Sequence, residues 1–212
     1  MMRMNGHGIP VIALDIDGTL ADYHSHFLSF AANWIGKSMP HPMEINPGKR
    51  LSEWMGVEHS VYQECKLAFR QGGLKRFMPA YDGVGALTQG IQQAGAQVWI
   101  CTTRPYLRLD NIDPDTREWL RRNNVLYDAV LFGEDKYAEL DRQAGERVMA
   151  VFDDLPEQCT AASELGFEVW VRDQPYNRHY ADLGESRRVF SCYEMLQVIR
   201  DNIGPWRKRN EH

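Results

Sequence analysis

The decapeptide Val11-Ile12-Ala13-Leu14-Asp15-Ile16-Asp17-Gly18-Thr19-Leu20 runs four apolar residues straight into Asp-x-Asp-Gly-Thr. A short apolar run closed by a turn signal reads as a buried strand. Residues i and i+2 of a strand point to one side, so Asp15 and Asp17 can share a site if the extended conformation persists. Two carboxylates that close call for a cation, a shared proton or strong hydrogen bonds. Gly18 permits a sharp turn or a close backbone approach to a ligand. The same residues also suit a plain acidic turn after a strand, because Asp-Gly is a common turn pair.

The chain has 212 residues, 43% of them hydrophobic, and a net charge of −5. That accommodates one sizeable domain, or one domain with an insertion. The acidic balance disfavours broad non-specific binding to nucleic acid. Cys65, Cys101, Cys159 and Cys192 form no C-x-x-C pair and read as reduced packing residues. No apolar run approaches the ~20 residues of a membrane span. The first residues lack the apolar stretch of a secretion signal. A cytoplasmic protein with no membrane partner is expected, with a frayed basic tail from Trp206 to His212.

Outward from the decapeptide, the character changes at Leu20. Phe27, Phe30, Ala31, Trp34 and Ile35 recur at helical spacing, and Pro40-His41-Pro42 and Asn46-Pro47-Gly48 interrupt the chain. A short helical piece from Ser52 to Gly56 follows. Ser60 is placed to cap a helix carrying Val61, Cys65, Ala68 and Phe69. Residues 21–79 therefore read as a small helical insertion, and residues 1–20 with 80–212 as the core. In the core an amphipathic helix from Tyr81 to Gln93 precedes an apolar strand, 97–101, that ends in Thr102-Thr103-Arg104. Asp115 and Glu118 have capping-box spacing for a helix from Thr116 to Arg122. Strands follow at 129–132, 148–152, 167–171 and 189–190, with helices after Pro156 and Ser191. Alternating strands and helices imply βαβ units and a mostly parallel sheet flanked by helices, an α/β fold of Rossmann-like type. In such sheets the ligand site lies outside the carboxyl ends of the strands.

The strand ends share a chemistry. The first carries Asp15 and Asp17, the second Thr102, the third is followed by Lys136, and the fourth ends in Asp153-Asp154. In order and spacing this set resembles the haloacid dehalogenase-like (HAD) superfamily, from about residue 10 to 172. The resemblance implies that Asp15 is a nucleophile forming an aspartyl-phosphate and that Asp17 is the general acid and then base. An Asp at the second position points to phosphatases rather than the family's dehalogenases. It further implies Mg²⁺ held by Asp15, the backbone carbonyl of Asp17, Asp153 and Asp154. Phosphate oxygens would be held by Thr102 and Lys136. Thr103 and Arg104 are candidate substrate contacts, since a guanidinium can grip phosphate bidentately.

The insertion falls where the family places its cap. Its length and helicity, with Asp-Gly-Thr-Leu-Ala-Asp-Tyr, Ile-Cys-Thr-Thr and Asp135-Lys136, resemble the 5′(3′)-deoxyribonucleotidase branch. Pro175-Tyr176-Asn177 is similar to relatives of that branch. Thr103-Arg104 and the Asp115-x-Arg117-x-Trp119-Leu120 segment instead resemble the 3′-phosphatase domain of polynucleotide kinase-phosphatases. An insertion of this size argues against an open site for long chains, without excluding a nucleic-acid end. The expectation is a Mg²⁺-dependent phosphomonoesterase acting on a (deoxy)nucleoside monophosphate. The alternatives are a 3′-phosphatase on nucleic-acid ends, a sugar- or metabolite-phosphate phosphatase, and a non-catalytic phosphate-binding module. Trp34, Trp54, Phe69 and Phe77 could stack a base, but their helical spacing favours packing within the insertion for most of them. His24 and His26 follow the first motif closely enough to touch substrate, but read more readily as unpaired surface histidines.

Overall fold

The computed structural model describes residues 8–44, 49–105, 108–178 and 187–210. Asn46-Pro47-Gly48 thus lies outside the described residues. Six parallel strands form one sheet: β1 (Val11–Leu14), β2 (Gln97–Thr102), β3 (Ala129–Phe132), β4 (Val148–Asp153), β5 (Val169–Arg172) and β6 (Arg188–Val189). Their order across the sheet is β3-β2-β1-β4-β5-β6. β1 lies between β2 and β4, with Ala13 beside both Trp99 and Val151. The pairing continues one residue past the strand, where Asp15 N–H donates to the Phe152 carbonyl at 3.0 Å. That bond delivers the Asp15 side chain to the sheet's carboxyl edge.

A parallel sheet must be covered on both faces, and strand alternation divides the apolar residues between two cores. Ile12, Leu14, Val98, Ile100 and Phe152 pack against α4 (Val84–Gln93), α5 (Ile112–Arg122) and α8 (Cys192–Arg209). Val11, Ala13, Trp99, Cys101 and Val151 meet α6 (Lys136–Ala144) and α7 (Pro156–Glu164) on the other face. Each large aliphatic side chain buried here stabilises the fold by about 1.5–3 kcal/mol. All four cysteines are free and buried, as packing residues should be.

Between β1 and α4 the described chain is helical, comprising α1 (Tyr23–Ile35), α2 (Leu51–Met55), α3 (His59–Gln71) and two short 3₁₀ turns. It has an apolar cluster of its own, built on Phe27, Leu28, Ala31, Met55, Cys65 and Phe69. No described helix is long and apolar enough to cross a membrane.

Several boundaries differ from the sequence expectations. α3 starts one residue before Ser60, and its N-cap residue, Glu58, makes no side-chain capping bond. α4 starts at Val84, not at Tyr81, whose N–H donates to the Leu20 carbonyl at 2.9 Å. Gly83 then turns the chain at a φ of +83°, a left-handed conformation that glycine adopts without strain. α5 begins at Ile112, so Asp115 is no N-cap but a buried partner of Arg76. Pro114 is tolerated because it falls in the first turn, where an N–H has no helical acceptor. The tail is not frayed from Trp206, which is buried while α8 continues to Arg209.

Candidate active site

The β1 turn is built by Ile16, whose carbonyl accepts from the N–H groups of Thr19, Leu20 and Ala21 at 3.3, 3.0 and 2.8 Å. Gly18 sits at φ +100°, and a Cβ there would meet the Asp154 carboxylate and come within 2.6 Å of the Tyr176 hydroxyl. Only glycine lets this turn press against the end of β4.

Asp15, Asp153 and Asp154 converge at the edge, each offering a carboxylate oxygen within 4.8 Å of the others. Lys136, the first residue of α6, is fully buried among them. Its Nζ donates to Asp15 and to Asp153 at 2.6 Å each, and the Tyr137 hydroxyl donates to Asp153 at 2.5 Å. Asp154 accepts from the Thr19 hydroxyl at 2.8 Å and from the Tyr176 hydroxyl. Burial, opposed by Lys136, pushes the Asp15 carboxyl up to about 7. Burial and the charges of Asp153 and Asp15 push Asp154 well above the usual carboxylate range. Burial would depress Lys136, but the Asp15 and Asp153 charges outweigh it and hold the ammonium charged. Three buried carboxylates against one lysine leave the cluster short of positive charge. An all-oxygen donor set of this kind suits a hard divalent cation.

Asp17 faces a different environment. Arg104 reaches its two oxygens at 2.5 and 3.3 Å, and Lys75, from the turn after α3, pairs with it as well. Burial would raise its pKa, but Arg104 and Lys75 prevail and hold the carboxyl well below its usual range. Burial brings Lys75 down to about 7 against the pull of Asp17. Asp15 and Asp17 are thus two residues apart in sequence with opposite electrostatics.

Thr102, at the end of β2, is 1% exposed, and its hydroxyl has no hydrogen-bond partner among the described residues. A buried, unsatisfied hydroxyl is costly unless a ligand completes it. The Thr102→Val variant should therefore keep its unfolding free energy within about 1 kcal/mol of the parent, because no bond is lost. Its kcat/KM on a phosphomonoester should fall about 10- to 100-fold. A large loss of stability with unchanged kinetics would contradict this reading.

The structure thus brings Asp15, Asp17, Thr102, Lys136, Asp153 and Asp154 to one edge. Thr103 and Arg104 line the adjoining cleft of about 540 Å³. Arg104, expected at a phosphate, is instead committed to Asp17 and to the Thr116 hydroxyl at 3.0 Å, 1% exposed. An ionised carboxylate so close is the strongest local partner for a buried guanidinium.

Packing, the favoured expectation for these aromatics, holds for Phe69. Phe69 is fully buried among Phe27, Phe30 and Tyr23, and Phe77 is half-exposed under the Arg122 guanidinium. None of Trp34, Trp54, Phe69 and Phe77 lines the cleft; Tyr23, Tyr62 and Tyr176 do. His24 is no lone surface histidine but packs on the Tyr176 ring at 4.5 Å. Burial lowers it to about 4, so it is neutral at pH 7. His26 is bonded to the Leu74 carbonyl at 3.1 Å. Sequence reasoning missed Lys75 and gave no role to Tyr176. Lys75 had one signal, a lysine between the Gly72-Gly73 break and the return to the core.

Acid should oppose metal binding. Asp15, at about 7 in the metal-free protein, must shed its proton to become a ligand. Because its folded pKa lies above the ordinary aspartate value of 3.8, its contribution to metal-free stability is full below that value and disappears as pH rises through about 7. Asp17 behaves oppositely, its contribution being present above 3.8 and lost only in strong acid. Calorimetric titration with Mg²⁺ should show affinity falling from pH 8 to pH 6, with a proton released at the lower pH. A pH-independent affinity would overturn this.

No family model matches the chain. A Chlorobaculum tepidum protein described as "Putative 5'(3')-deoxyribonucleotidase" is 25% identical over 194 residues, 90% of each chain. Among solved structures, a predicted phosphatase from Clostridium acetobutylicum aligns with a TM-score of 0.65 at 14% identity, covering 91% of this chain and 99% of that one. A haloacid dehalogenase-like hydrolase from Streptococcus pneumoniae gives 0.63 at 14%, covering 90% and 98%. CbbY from Rhodobacter sphaeroides, solved with xylulose-(1,5)bisphosphate, gives 0.59 at 17%, covering 88% and 96%. The architecture is that of the HAD-like hydrolases.

Proposed function

We propose that this chain, built on the HAD-like fold, is a Mg²⁺-dependent phosphomonoesterase whose preferred substrate is a (deoxy)nucleoside monophosphate. The observation that carries the phosphatase reading is the split between the two aspartates. Asp15 sits in a cation-poor carboxylate cluster, whereas Asp17 is held by two cations at the cleft. Asp15, Asp153, Asp154 and the Asp17 carbonyl would hold the ion, which would shield Asp15 from the phosphate's negative charge.

An Asp15 oxygen attacks phosphorus, and the bond from phosphorus to the leaving oxygen breaks. Asp17 hands that oxygen a proton, so the alcohol departs neutral. Asp17 then takes a proton from water, whose oxygen attacks phosphorus and releases Asp15 and inorganic phosphate. Lys136 and Thr102 hold phosphate oxygens throughout. The ion pairs with Arg104 and Lys75 keep Asp17 ionised, the form that activates water. For the first step Asp17 must carry a proton, so it has to loosen at least one of them. Lys75 lies in the turn at 74–77 that closes the helical segment, so withdrawal of that turn would free Asp17.

The helical segment 21–79 acts as a cap that shields the cleft and reads the leaving group. The nucleotide preference is supported by the 25% identical relative and by the tyrosines lining the cleft, whose rings can pack a base. A phosphate-release screen would set deoxynucleoside monophosphates, sugar phosphates and a 3′-phosphorylated oligonucleotide side by side. The first class should rank highest. Preference for sugar phosphates or the oligonucleotide would overturn the substrate assignment, and no Mg²⁺-dependent release from any would overturn the activity.

A further inference from the structure

We propose that the leaving group of the substrate itself carries a second phosphate, gripped by Lys66 and Arg70 of α3. The proposal rests on the phosphomonoesterase reading above but departs from its monophosphate assignment: a phosphomonoester whose leaving group bears a second phosphate is bound more tightly than a plain monophosphate.

The cleft holds more cations than one phosphate can use. The reacting phosphate is accounted for by the strand ends, where Thr102 and Lys136 stand ready. Lys75 and Arg104 are committed to Asp17. Lys66 and Arg70 remain on the cleft wall. With Tyr62 they occupy positions i, i+4 and i+8 of α3 and so stack on one helical face. Neither Lys66 nor Arg70 is in an ion pair with a carboxylate among the described residues. The Arg70 Nε is buried without a hydrogen-bond partner. The Lys66 ammonium rests 5.4 Å from the centre of the Tyr62 ring. Glu157 is the one carboxylate besides Asp17 among the described residues lining this cleft, and Lys49 adds a further cation.

Two like charges one turn apart destabilise a helix slightly, and here they do so in a chain whose net charge is −5. A single anion between the lysine and the arginine removes that repulsion. It also completes Arg70, whose planar fork matches phosphate oxygens. An uncharged sugar or base would leave both cations unanswered.

The test compares binding to the Asp15→Asn variant in MgCl₂, where turnover does not intervene. Adenosine 3′,5′-bisphosphate would be titrated against adenosine 5′-monophosphate, and fructose 1,6-bisphosphate against fructose 6-phosphate as a pair with different reach. In at least one pair the bisphosphate should bind at least about tenfold tighter at low salt, with the advantage shrinking as salt rises. Adding Lys66→Gln and Arg70→Gln should remove most of that advantage, while Arg70→Lys alone should retain part of it. Equal affinities in both pairs, or an advantage that survives the double substitution, would overturn the second-phosphate site. Phosphate release by the wild-type chain is read separately. A protein that prefers the bisphosphate but releases phosphate from nothing would refute the phosphatase and leave this site standing. One that turns over monophosphates with equal affinities would do the reverse.

Discussion

Asp15→Asn should abolish phosphate release, lowering kcat by at least about 10³-fold, since removing a nucleophile alone disables a catalytic unit. Stability should move the other way. Asp15 titrates near 7 because burial disfavours its charge more than Lys136 favours it. At pH 8, without metal, the folded protein therefore carries an unfavourable charge that asparagine removes. Lys136 keeps its 2.6 Å bond to Asp153. The metal-free thermal midpoint at pH 8 should be equal to or above that of the parent, and Mg²⁺ should raise it by less. A variant that loses activity because it unfolds would contradict this account, as would one that retains more than about a hundredth of the parental rate.

Asp17→Asn should damage stability and activity together. It leaves Lys75 and Arg104, 4% and 1% exposed, facing a neutral amide. Breaking a buried pair by removing one partner costs about 3–5 kcal/mol, because the remaining charge stays desolvated. Lys75 limits that loss to the extent that it gives up its proton. Turnover should fall about 10²- to 10⁴-fold with the loss of the general acid and base. The Lys75→Met substitution separates the two effects. In the Asp17→Asn background it removes one orphaned cation, so it should recover part of the urea midpoint while restoring no activity. If the double variant is no more stable than the single one, the pairing of Lys75 with Asp17 does not have the energetic role assigned to it. If activity returns, Asp17 is not the proton-transfer group.

The fold and the floor of the site were legible because both follow from short-range patterns. A short apolar run closed by turn signals reads as a strand, and a parallel sheet places every strand's carboxyl end on one edge. Asp15, Thr102, Asp153 and the helix-opening Lys136 could therefore be gathered before any contact was known. Helix starts were less legible. Asp115 has the spacing of a cap, yet it is occupied by Arg76 from 39 positions earlier in the chain.

By itself, the sequence determined the six-stranded α/β architecture and the acidic edge, because strand periodicity and turn chemistry are local. Only the tertiary structure decided how the two aspartates differ. Asp15 is charge-starved and Asp17 charge-satisfied because Lys75, 58 residues from Asp17, and Arg104, 87 residues away, meet at one carboxylate and not the other. The tertiary structure likewise decided which aromatics line the cleft and that Lys66 and Arg70 remain without carboxylate partners there. A pairwise contact across such separations depends on where the helical segment docks, and no local pattern encodes that.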